Sequence, residues 1–358
     1  MRLLVVNAGS SSLKLSVLDD GDTVVAEHDV ADWSGDDEPI GAFARHVGGI
    51  DTVGHRVVHG GLTFTGPVVV DDAVVVRLRE LVDLAPLHQP RAIAAIAAAR
   101  NVVPGATHVA CFDTAFHARL PPAAYVYALP APWRARWPLR RFGFHGLSHA
   151  YATRRVAALM GRAVEELQLV SCHLGAGASL CAVRGGDSVD TTMGFTPLDG
   201  LVMATRAGSI DPGLVLWLVE AGGLSPAAVR EGLEHESGLA GLAGTPDMRA
   251  VLERSARGDA DAVLAFDVYA HALRRELGAM RAALDDLDAC VFTGGVGEHA
   301  PEVRAAAGLA VDDDRNATTT GDGEITAPGA RVRTFVVTAR EDLEIARQVR
   351  ALSDSADG

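Results

Sequence analysis

Leu3-Leu4-Val5-Val6-Asn7-Ala8-Gly9-Ser10-Ser11-Ser12-Leu13-Lys14 runs a short apolar strand into a glycine-serine turn and out again into a second strand-like segment, Leu13–Leu18. A turn of this kind offers backbone amides and three hydroxyls with little bulk, and Lys14 stands close by. These are the donors that an anion such as phosphate needs. The GxxxxGK[ST] spacing is missing and a strand, not a helix, is expected to follow, so the stretch is not a Walker A loop. Read alone it is equally an ordinary hairpin.

The same design recurs further along the chain. Leu167–Leu174 runs into His173-Leu174-Gly175-Ala176-Gly177-Ala178-Ser179 and then Leu180–Val183. A third turn, Thr293-Gly294-Gly295-Val296-Gly297-Glu298, follows the apolar run Ala289–Thr293 and precedes a helical pattern over Pro301–Ala307. Glycines after a strand and before a helix let a nucleotide approach the backbone closely. His173, Gly175, Gly177, Gly295, Val296 and Gly297 are therefore candidate nucleotide-binding positions. Further strands are expected at Thr52–Val58 and His108–Phe112, with helices at Arg91–Arg100, His149–Met160, Pro212–Ala221 and Asp261–Leu284. In the last of these, Phe266, Leu273, Leu277, Met280 and Leu284 make one apolar stripe. Interleaved strands and helices predict an α/β architecture with mixed sheets, and the repeated strand–turn–strand unit predicts two domains of similar plan facing one cleft.

With 358 residues, two domains are also the default on size. The net charge of −14 argues against a nucleic-acid partner, and no run of about 18 apolar residues predicts a membrane span. The apolar start is too short for the core of a signal peptide. Four cysteines (Cys111, Cys172, Cys181, Cys290) lack CxxC spacing and sit in apolar runs, which predicts buried free thiols in a reducing cytoplasm.

Two histidine-rich clusters stand out, Gly54-His55-Arg56-Val57-Val58-His59-Gly60-Gly61 and Gly143-Phe144-His145-Gly146-Leu147-Ser148-His149. His145 and His149 have the spacing of a zinc helix, but no Glu follows His145 and Gly146 is a poor helix former, so His145 reads rather as a donor to substrate. Arg56 lies in an apolar run and Arg206 just ahead of a helix start near Asp211-Pro212. Each suits either a carboxylate or phosphoryl oxygen, or an internal salt bridge. Asp113 ends an apolar strand, a usual place for a catalytic or metal-holding carboxylate.

Taken together, NAGSSSLK, GHRVVHGG, APLHQP, CFDTAFH, RRFGFHGLSH, HLGAGAS, DTTMGFTPLDGL, TRAGSIDPG, FTGGVGEHAPEVR and EDLEIAR resemble the acetate kinase family, from Leu3 to about Arg347. The resemblance implies two domains of the ribonuclease H-like or actin-like ATPase fold, each a mixed five-stranded sheet flanked by helices. The N-terminal one would hold residues 1–117 and 344–358. The C-terminal one, 118–343, would carry the nucleotide site and the dimer face. It implies a cytoplasmic homodimer that transfers the γ-phosphoryl of ATP to acetate by direct in-line transfer, giving acetyl phosphate and ADP, with Mg²⁺ or Mn²⁺. By resemblance, Asn7 and Glu341 organise the metal, and Ser10, Ser12 and Lys14 belong to the phosphate turn. Arg56 and Arg206 clamp anions, Asp113 is the catalytic carboxylate, and His145 and Arg206 stabilise the transferring group. Val58, Leu87, Phe144 and Pro197 form the pocket for the substrate methyl. The stripe Phe266–Leu284 serves either the dimer face or the core of the second domain.

The chain departs from the family at several places. Ala176 and Ala178 stand where Asn and Ser are usual, and Gln89, Leu147 and His299 replace Asn, Thr and Asn. Gln89 and Leu147 are expected near the acyl side, His299 near the base. Two alternatives to acetate kinase follow: a kinase for propionate or another short-chain acid, and a nucleotide-binding homodimer with weak or no transferase activity.

Overall fold

The computed structural model describes residues 2–9, 12–86 and 88–356. Two compact units divide the chain. The first holds Met1–Ala118, Phe144–Tyr151 and Arg340–Gly358, and the second Arg119–Gly143 and Ala152–Ala339. Relative to the boundaries expected from the sequence, Phe144–Tyr151 and residues 340–343 lie with the first unit. Burial accounts for this: Leu147 joins a core cluster with Leu3, Val5, Cys111 and Ile345.

The first unit carries strands β1 (Leu3–Ala8), β2 (Ser12–Leu18), β3 (Val24–Ala31), β4 (Thr52–Val57), β5 (Val68–Val69) and β6 (Thr107–Phe112), ordered β3-β2-β1-β4-β6-β5. The second carries β7 (Gln168–Leu174), β8 (Ala178–Arg184), β9 (Asp187–Thr191), β10 (Ala289–Thr293), β11 (Gly323–Glu324) and β12 (Arg333–Val336), ordered β11-β12-β10-β7-β8-β9. Both sheets have one plan. An antiparallel meander (β1–β3, β7–β9) is extended by two parallel strands beside its first strand (β4 and β6, β10 and β12). The five expected strands per sheet are there, and each sheet gains a two-residue antiparallel edge strand, β5 or β11. Two residues carry no period, so neither was readable in advance.

Period-2 alternation decides what faces what. Leu3, Val5, Val109 and Cys111 pack with Ile345, Ala346 and Val349 of the helix Glu341–Ala356. Leu4, Val6 and Val53 point the other way, into a cluster with the helix Gln89–Val102. Gly54 shares the first face: a Cβ there would lie 2.5 Å from a methyl of Ile345, so only glycine lets this helix settle on the sheet. In the second unit Leu273, Leu277, Met280 and Leu284 are buried. The stripe on Ala260–Ala282 therefore belongs to that unit's core rather than to a free face.

Candidate active site

The face that packs against the 341–356 helix continues past the last packed residues to Asn7 on β1, Arg56 on β4 and Asp113 just after β6, with Glu341 at the helix start. Three neighbouring strands thus deliver an amide, a guanidinium and a carboxylate to one end of one sheet face. Lys14 is the register partner of Asn7 across the β1–β2 hairpin, which puts the chain's lysine on the same face. Gly9 N–H closes the turn onto Ser12 O at 2.7 Å. Ser10 and Leu87 lie outside the described residues.

Arg56 donates from Nε (3.1 Å) and Nη2 (2.8 Å) to Asp113 Oδ2, and from Nη1 to Asn7 Oδ1 (3.2 Å). Arg56 thus makes an internal salt bridge with Asp113. Three of its five N–H groups are used among the described residues. Asp113 is 1% exposed, and its Oδ1 has no hydrogen-bond partner among the described residues. Burial raises the Asp113 pKa, with Glu341 adding to the rise and Arg56 working against it. Burial likewise opposes the Arg56 charge, but Asp113 and Glu341 together hold its pKa above the ordinary value.

His145 adopts φ 55°, the left-handed region that side chains avoid, and the helix Gly146–Met160 begins one residue later. Strain of this kind collects at functional positions. A Cβ on Gly146 would stand 2.0 Å from the Asp113 carbonyl oxygen, so the His145–Gly146 step is locked onto Asp113's backbone. His117 Nε2 meets Phe144 O at 3.0 Å and steadies the same loop. His145 precedes the helix that holds His149, so the two do not form a zinc-helix pair. Val58 and Phe144 are buried beside this loop, and the Phe144 ring lies edge-on to His59 with centroids 5.7 Å apart.

Gln89 and Leu147 are both buried. Gln89 Nε2 donates to His59 O (3.1 Å) and its Oε1 accepts from His59 N–H (3.4 Å), while Leu147 sits in the core cluster named above. Both are packing positions rather than pocket walls. A cleft of about 710 Å³ elsewhere on the first unit, lined by Asp72, Arg79, Arg100 and His108 among others, contains none of the expected site residues.

The second unit carries its own cavity, about 380 Å³, lined by Gly175, Ala176, Gly295, Val296 and His299. Two of the glycine turns therefore converge, as their pattern suggested. Gly177 and Gly297 support those turns from behind: Gly175 N–H donates to Gly177 O at 2.9 Å. Ala178 is fully buried at the start of β8, whereas Ala176 lines this cavity. The cavity also takes in Asp247, Met248, Arg249 and Leu252, which sequence reading passed over because a search for glycine turns sees nothing in Pro246-Asp247-Met248-Arg249. Their signal was the cap: Asp247 accepts from Arg249 N–H (3.0 Å) and opens the helix Met248–Ala256. Arg206 donates from Nη1 to Pro197 O at 3.0 Å, and burial lowers its pKa with Glu234 partly offsetting.

Residues 40–347 match the Acetokinase family. The chain belongs to that family. An acetate kinase of Streptomyces avermitilis is 42% identical over 397 residues, covering 99% of this chain and 98% of that protein. The crystal structure of the Porphyromonas gingivalis acetate kinase superposes with a TM-score of 0.91 at 31% identity, over 98% of this chain and 99% of that one. A propionate kinase of Francisella tularensis superposes with a TM-score of 0.90, also at 31% identity, over 97% and 98%. Acetokinase membership makes this chain a kinase that transfers phosphate to a carboxylate, with ATP as a substrate. All four cysteines are buried and free, and among the described residues no helix is long and apolar enough to cross a membrane.

Proposed function

We propose that this protein is an acetate kinase that moves the γ-phosphoryl of ATP to acetate, reversibly and in line, giving acetyl phosphate and ADP. The observation that carries the reading is Arg56, held by Asp113 and Asn7 with two N–H groups to spare, in a chain of this family. Phosphoryl transfer asks a protein mainly for alignment and for neutralising charge on three equatorial oxygens. The acetate oxygen is already ionised at neutral pH, so no general base is needed. Arg56 orients the acceptor carboxylate, and Val58 and Phe144 take its methyl group. Arg206 and His145 donate to the phosphoryl oxygens. Ser10, Ser12 and Lys14 hold the phosphate chain, and the turns at His173, Gly175 and Gly177 and at Gly295, Val296 and Gly297 hold the nucleotide.

Mg²⁺, or Mn²⁺ in its place, suits the donor set. Asp113 Oδ1 is a buried hard oxygen that accepts from no side chain among the described residues, with Asn7 Oδ1 on the same guanidinium and Glu341 close enough to act on both charged partners. A nucleotide-borne metal needs only one or two such protein groups, since phosphate and water supply the rest. Bound there, it would offset charge on the triphosphate. Dimerisation is proposed through the helix Pro212–Glu220, which buries no residue and exposes Leu214, Leu216 and Trp217. Buried free thiols support a cytoplasmic setting.

The propionate kinase neighbour supports a second reading, a short-chain acid kinase, because one methylene in an apolar pocket discriminates by only about 1–3 kcal/mol. Trapping acyl phosphate with hydroxylamine, using ATP and either acetate or propionate, tests both readings. Absence of any acyl hydroxamate at high ATP and Mg²⁺ would leave only a nucleotide-binding dimer.

A further inference from the structure

Arg304 is the largest fully buried side chain of the described residues, at 1% exposure, and it makes no ion pair there. Its contacts are all to amide oxygens. Nε donates to Asn316 Oδ1 (2.7 Å), Nη2 to Asn316 O (2.6 Å), and Nη1 to both Gly297 O (2.9 Å) and Glu298 O (2.8 Å). Asn316, 4% exposed, is itself fixed, since its Nδ2 donates to Pro301 O at 2.9 Å. A second tie holds the other end of the same turn: Glu298 Oε1 accepts from Gly294 N–H (3.0 Å) and from Ala339 N–H (2.9 Å).

A buried guanidinium without a carboxylate partner is expensive to place, and burial indeed lowers its pKa. What the molecule gains for it is a planar fork that grips two consecutive carbonyls of one turn and a fixed asparagine at once. No other side chain matches that geometry, since a lysine donates from a single point. The gripped carbonyls lie near the end of the short helix Gly294–His299, formed by the expected glycine turn, whose Gly295 and Val296 line the 380 Å³ cavity. We propose that Arg304, backed by Asn316, is the positioning residue for the nucleotide turn, and that it sets affinity for the nucleoside triphosphate without touching it. This rests on reading that cavity as the nucleotide site.

The test compares Arg304→Lys, Arg304→Met and Asn316→Ala with the wild type in acyl phosphate formation, varying ATP and acetate separately. Arg304→Met is expected to raise KM for ATP by about tenfold or more, as losing hydrogen bonds to a charged group does. Arg304→Lys should recover little of this although it keeps the charge. KM for acetate and kcat should stay within about threefold, a split that general destabilisation does not produce. Should Arg304→Met fail to fold, Asn316→Ala carries the test with a KM for ATP raised about threefold or more. An unchanged KM for ATP in the folded variants, or KM values for ATP and acetate rising together, overturns the proposal. A wild type that makes no acyl phosphate would instead defeat the reading of the site.

Discussion

Arg56 and Asp113 are joined by two hydrogen bonds onto a single oxygen, Oδ2, while the carboxylate's other oxygen is buried and accepts from no side chain among the described residues. This asymmetry ties the acceptor clamp and the proposed metal position to one residue. Replacing Arg56 by Ala should reduce kcat about a thousandfold. Arg56→Lys should do little better, because one ammonium cannot serve Asp113, Asn7 and a substrate together. Steady-state kinetics alongside circular dichroism checks this, and near-wild-type turnover in either variant would remove Arg56 from the proposed role.

Gly146 answers to contact rather than chemistry. A methyl at that position collides with the Asp113 carbonyl oxygen at 2.0 Å, a backbone atom that cannot swing aside as a side chain could. Gly146→Ala should lower stability by about 3 kcal/mol, the upper end of overpacking losses, and disturb the strained His145 beside it. Denaturant unfolding measures the first effect, and a stable, fully active Gly146→Ala would show the approach to be looser than drawn.

Acid stability should carry the signature of buried histidines. Burial lowers the His59 pKa to about 4 from 6.5, and its Nδ1 accepts the Gly61 N–H at 2.9 Å, which requires that nitrogen to be unprotonated. His55 moves in the same direction, from burial first and His108 second. A depressed folded-state pKa means that the unfolded chain binds the proton first. The stability is therefore complete above about pH 6.5 and is lost as pH falls toward about 4. For His59 alone the loss between pH 7 and 5 amounts to about 2 kcal/mol. Unfolding curves at the two pH values should show the wild type losing more stability than His59→Gln by about that amount, and equal losses would count against it.

The cysteines should be inert in the native state. Burial pushes Cys111 and Cys181 up to about 12, and Cys172 lies well above its ordinary range from burial and from its neighbour Cys290 at 3.7 Å. A chromogenic disulfide reagent should find no fast-reacting thiol before unfolding, and four after it. Rapid labelling of the native protein would contradict this burial.

Much of the fold was legible because its signals are local. Apolar runs ending in glycine-serine turns located β1, β2, β7, β8 and β10, and the helix from Pro212 starts where its Asp-Pro cap stands. The site was legible residue by residue but not as a constellation. Arg56 and Asp113 are 57 residues apart, and their bond follows from β4 lying next to β6, a fact of sheet order that no periodicity encodes. Arg304 went unnoticed for the opposite reason. In Pro301-Glu302-Val303-Arg304 it looks like a solvated helix charge, and only packing shows it buried. That Gln89 would be tied to the His59 backbone and Leu147 packed into the core was equally out of reach of the sequence pattern, because both depend on long-range packing.

The most direct test measures acetyl hydroxamate formed from ATP, Mg²⁺, acetate and hydroxylamine by the wild type and by Asp113→Asn at matched stability. The account predicts product that depends on both ATP and acetate in the wild type, reduced about a hundredfold or more in Asp113→Asn. Acetate-independent ATP consumption by the wild type, or equal product from the two proteins, would contradict it.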